Sequence, residues 1–79
     1  MTEIEVLPPF IKLEQFLKLA DIAETGGMAK MMILDGIVEV NGEICTMRGK
    51  KLYDGDKVNV NFEEGTEEFV CRIKQYSFF

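Results

Sequence analysis

The chain has 79 residues and a mass of 9.0 kDa, room for one hydrophobic core and not two. Apolar residues make up 47% and charged residues 29%, the composition of a folded globular chain, with a net charge of −5 and a pI near 4.6. The longest apolar run, Met31 to Leu34, is far below the ~20 residues of a membrane span, and the early Glu3 and Glu5 do not fit a signal peptide, so a cytoplasmic protein without a membrane partner is expected.

In chain order, residues 2–7 alternate Ile4 and Val6 with Glu3 and Glu5, the period of a half-buried strand, which Pro8-Pro9 stops. Leu13, Phe16, Leu17 and Ala20 then recur at helical spacing, with Lys12, Glu14, Gln15 and Lys18 facing out, and predict about three turns of helix ending near Asp21. Thr25 is an N-cap residue for a second helix running to about Asp35, with Gly36 at its C′ position. Met28, Met31 and Met32 on that helix read as adaptable core filling; exposed, they would mark a protein-contact surface.

Ile37 to Val40 reads as a strand, Asn41-Gly42 as a tight hairpin turn, and Glu43 to Thr46 as the returning strand. A strict two-residue turn sets Val40 across from Glu43, so a longer loop or a bulge is an alternative. Met47 to Tyr53 reads as a basic loop and Asp54-Gly55-Asp56 as a turn. Val58, Val60 and Phe62 alternate with Asn59 and Asn61, an edge-compatible strand; residues 63–67 read as a turn and Phe69 to Lys74 as a last strand. The tail, Tyr76 to Phe79, is aromatic enough to pack back on the body. The order predicts an α+β domain spanning 1–79, a helix pair beside a mostly antiparallel sheet.

Chemistry is limited by what the chain lacks. It has no His and no Trp, one Ser (Ser77), and two Cys, Cys45 and Cys71, 26 positions apart. The commonest general base and transition-metal ligand is therefore absent, and two thiols do not complete a zinc site. Two buried thiols are a better reading than a disulfide. None of the fourteen acidic residues forms a pair in an apolar context that would keep one protonated. The expectation is no enzyme, no cofactor and no metal.

Arg48, Lys50 and Lys51 form a +3 cluster with no acid between Glu43 and Asp54, the one concentrated positive feature. Arg suits bidentate phosphate contacts and Lys adds point charge. Thr25-Gly26-Gly27 opens a helix whose free N–H groups suit an anion, with Lys30 one turn in; a tight helix–helix approach through the glycines is the alternative.

From Lys12 to Val58 the sequence resembles the S4-type RNA-binding domain (the αL motif), in particular its short stand-alone YaaA-like bacterial members. The resemblance rests on Lys12 to Ala20, Gly26-Gly27-Met28-Ala29-Lys30, Val38-Glu39-Val40-Asn41-Gly42, and Arg48-Gly49-Lys50-Lys51-Leu52-Tyr53 with Gly55-Asp56. It implies a motif core at about 11–60 and structured RNA as partner, ribosomal RNA or a ribosomal particle first, bound over the second helix and the basic loop. Carried over by position, Lys30, Arg48, Lys50 and Lys51 contact phosphate, Thr25, Gly26 and Gly27 admit the backbone, and Lys12 and Lys18 are additional contacts. Four contacts would give a log–log salt slope of roughly −3. A monomer is expected. The alternative is a protein–protein adaptor on the same scaffold, linked to ribosome assembly or DNA maintenance.

Overall fold

The alternating segments at the two ends of the chain meet as neighbours in one sheet. In the computed structural model, which describes residues 1–74, the chain runs β1 (Thr2–Val6), β2 (Ile11–Lys12), α1 (Leu13–Leu19), α2 (Gly26–Leu34), β3 (Val38–Val40), β4 (Glu43–Ile44), β5 (Lys51–Leu52), β6 (Lys57–Phe62) and β7 (Gly65–Ile73). Five strands form the main sheet in the order β1-β7-β6-β3-β4, and β2 and β5 form a separate two-stranded ribbon. Among the described residues only β1 and β7 pair in parallel; the other ladders are antiparallel. The domain is α+β, as the element order predicts. The aromatic tail, with its expected packing, lies outside the described residues.

One face of the sheet builds the core. Val38, Val40, Val58, Val60, Phe69, Cys71, Ile73 and Val6 are buried on it, and Leu13, Phe16 and Leu17 of α1 with Ala29 and Ile33 of α2 cover them. The opposite face is polar apart from the buried Val70: Arg72 reaches Glu3 at 2.9 Å, and Asn61 donates to Glu39 at 2.6 Å and accepts from Thr66 at 2.8 Å. β6, edge-compatible by its alternation, is paired on both sides, between β3 and β7, with Asn59 and Asn61 on the open face while Val58 and Val60 go inward.

Several boundaries move for local reasons. α1 has seven residues, not three turns, because Ile11 and Lys12 are taken by the ribbon and Asp21 turns left-handed at φ 63°. The amide of Ile22 reaches back to the Leu17 carbonyl at 3.0 Å and that of Asp21 to Lys18 at 3.1 Å, which closes the helix end. The Asn41-Gly42 turn is the strict two-residue form, with both residues at positive φ and Val40 opposite Glu43. No bulge resets it; the mismatched strand β4 is two exposed residues long. β7 begins at Gly65, so the predicted turn at 63–67 shrinks to Glu63-Glu64. Met28 and Met31 are 46% and 60% exposed and only Met32 packs on the core, so the methionines are not all filling. Both cysteines are free; Cys71 is buried, where desolvation first and then Asp56 and Asp54 push its thiol pKa up, while Cys45 is only half-buried. No helix among the described residues is long and apolar enough to cross a membrane.

Candidate nucleic-acid interface

The basic segment is held in place by its own backbone. The first N–H groups of a helix lack intrahelical partners, and α1 opens on Lys12, whose side chain makes no capping bond. Instead the carbonyls of Lys50 and Arg48 accept the amides of Leu13 and Glu14 at 2.8 and 3.2 Å. Lys51 and Leu52 then pair with Lys12 and Ile11. The predicted loop is thus partly a strand, docked on the start of α1.

This docking gathers four cations. Lys12 lies directly across from Lys51 in the ribbon, and Arg48 and Lys50 flank the same helix end. All four are exposed. Like charges in opposed positions are destabilising, and cations at a helix N-terminus oppose the macrodipole. Unit charges ~6 Å apart in water repel by about 0.7 kcal/mol. None of the four is in a direct ion pair: among the described residues the ion pairs are Arg72–Glu3 at 2.9 Å and Lys74–Glu5 at 3.8 Å, both between β7, or the residue after it, and β1, although Glu14 stands in the first turn of the same helix.

Clips hold the adjoining turn. The Asp56 carboxylate accepts the Tyr53 amide at 2.7 Å and the Asn41 side-chain amide at 3.1 Å, while the Asn41 side-chain oxygen accepts the Lys57 amide at 2.9 Å. The Asn-Gly turn and the Gly55-Asp56 pair therefore form one latch that ties the basic segment to the sheet.

The other predicted site residues lie elsewhere. Thr25 caps α2 as expected, accepting the Met28 amide at 3.1 Å. The amides of Gly26 and Gly27 find no acceptor among the described residues, and an added Cβ at Gly26 would meet nothing within 4 Å, at Gly27 only the Thr25 hydroxyl at 3.8 Å. These glycines are not needed for helix packing. Thr25, Gly26, Gly27 and Lys30 belong to the first turns of α2, and Lys18 to the last turn of α1; no hydrogen bond or strand pairing joins them to the basic segment. The end of α1 instead shares a hollow with Glu67 and Glu68, lined by Ala20, Asp21 and Ile22.

Two residues escape a reading by charge alone. The rings of Phe10 and Tyr53 lie 6.1 Å apart beside the cations, and the Lys51 ammonium stands 4.8 Å from the centroid of Phe10. The available signal was Tyr53 following the basic run, since an aromatic among cations suits nucleic acid.

Comparison with known proteins gives two findings. The sequence model described as the S4 domain matches residues 3–66. A Bacillus subtilis protein described as a probable ribosome maturation protein, RlbA, is 47% identical over 57 residues, covering 72% of this chain and 80% of that protein.

Proposed function

The chain belongs to the S4 domain family, and from that footing we propose that it is a non-catalytic module that binds structured RNA, ribosomal RNA first among candidates. The observation that carries the reading is the group Lys12, Arg48, Lys50 and Lys51, which stands around one helix end without an ion pair among the described residues, an arrangement that like-charge repulsion disfavours. Local rules are broken this way where a site requires it. A phosphate backbone supplies the missing negative charge, and Arg48 is suited to bidentate contact. The open amides of Gly26 and Gly27 with Lys30 form a second contact for the backbone, by the logic of helix N-termini. The similarity to a probable ribosome maturation protein supports a ribosomal partner.

The test is charge reversal. Arg48→Glu with Lys51→Glu should abolish retention of ribosomal RNA at low salt without lowering the thermal midpoint. Undiminished retention by the folded double variant would overturn the assignment to this rim.

A further inference from the structure

Side chains along the β2–β5 ribbon alternate between core and solvent. Leu52 is fully buried and Ile11, its partner, packs on the core, which leaves Lys12, Lys51 and, by the same alternation, Phe10 and Tyr53 outward. The two rings are tilted by 53° at 6.1 Å, with the Lys51 ammonium over Phe10. Phe10 is half-buried and already carries a cation on its ring, whereas Tyr53 remains 51% exposed.

Tyr53 is also fixed. Its amide donates to the Asp56 carboxylate at 2.7 Å, and its carbonyl accepts the Asp56 amide at 3.1 Å. The same turn is anchored to β7, where the Asp54 carboxylate accepts the Ile73 amide at 2.8 Å and Gly55 donates to Cys71 at 2.8 Å. The backbone that carries this exposed ring is fixed, with Lys51 two positions before it and Phe10 beside it. Stacking on such a ring is worth about 1–3 kcal/mol per base, and bases inside a duplex already have both faces covered.

We propose that Tyr53, backed by Phe10, is a stacking platform for an unpaired nucleobase, with Lys12 and Lys51 on the flanking phosphates. The inference rests on the RNA-binding reading and narrows its ligand to RNA that offers a loop, bulge or strand end beside a helix. Paired RNA reaches only the cations.

The full chain is titrated with two RNA probes, a stem-loop and a blunt duplex of the same stem. Tyr53→Leu should weaken stem-loop binding by roughly 5- to 150-fold, leave duplex binding unchanged, and be rescued by Tyr53→Phe. A second measurement does not depend on the Leu variant folding. The chain has two Tyr and no Trp, so in Tyr76→Phe the tyrosine emission comes from Tyr53 alone, and it should be quenched by the stem-loop and not by the duplex. Equal stem-loop binding by Tyr53→Leu, or unquenched Tyr53 in the bound complex, overturns the platform while leaving RNA binding intact. Failure of the unmodified chain to bind either probe overturns both readings.

Discussion

Lys12 occupies the position where helices favour Ser, Thr, Asp or Asn, and it faces Lys51 across the ribbon. Both choices cost stability, so stability and binding should move in opposite directions when it is changed. Lys12→Glu creates an opposite-charge pair with Lys51 and complements the helix dipole, a gain of about 0.5–1 kcal/mol. The thermal midpoint should rise by about 2–8 °C while RNA affinity falls several-fold. A variant that is stabilised and binds unchanged would exclude Lys12 from the interface. The sequence reads Lys12 as an outer-face helix residue of secondary interest, because its pairing with a residue 39 positions later leaves no local periodicity to find. Thr25 is the opposite case. Its capping role is written in the following residues, and the structure contains it. The exposure of Met28 and Met31 was not legible, since methionine spacing on a helix is the same for core and surface.

Among the elements, the latch between the Asn41-Gly42 hairpin and the 53–57 turn decides where the basic segment sits. Asp56 bonds both Tyr53 and Asn41, and hydrogen bonds to a charged group contribute about 1.5–3 kcal/mol each at most. Asp56→Ala should lower stability by about 2 kcal/mol in denaturant titration and weaken RNA binding, since it frees the turn that carries Tyr53. Unchanged stability would show that the latch does not hold the segment. The hairpin itself was legible from Asn-Gly, and so was its awkward register; β4 accepts it by being short and exposed. The ribbon of β2 and β5 was not. Two-residue strands have no measurable period, and their signal lies only in the partner each supplies to the other. The position of β6 in the sheet was not legible for a related reason, since polar alternation shows that one face is open but not how many neighbours lie alongside.

At the scale of the molecule, a net charge of −5 has to be reconciled with a polyanionic partner. The glutamate-rich turn is separated from the basic segment, whereas Glu14, Asp54 and Asp56 lie beside it, with both Asp56 carboxylate oxygens engaged by the Tyr53 amide and the Asn41 side chain. Glu63 and Glu64 form the β6–β7 turn and Glu67 and Glu68 follow it, while the Asn41–Asp56 latch lies at the start of β6. The six residues of β6 separate these ends by about 17 Å at ~3.4 Å per residue, beyond a Debye length of ~8 Å at physiological ionic strength. Glu3 and Glu5 are engaged with Arg72 and Lys74. The rim's four cations outnumber the neighbouring carboxylates of Glu14, Asp54 and Asp56, and the total charge acts mainly on long-range steering. The central claim is that four cations gathered by backbone pairing grip phosphate, and the salt dependence of RNA binding tests it most directly. Anisotropy titrations of a labelled structured RNA between 20 and 200 mM salt should give a log–log slope of about −3. A slope near zero, or one unchanged when Arg48 and Lys51 are reversed to Glu, would contradict the account.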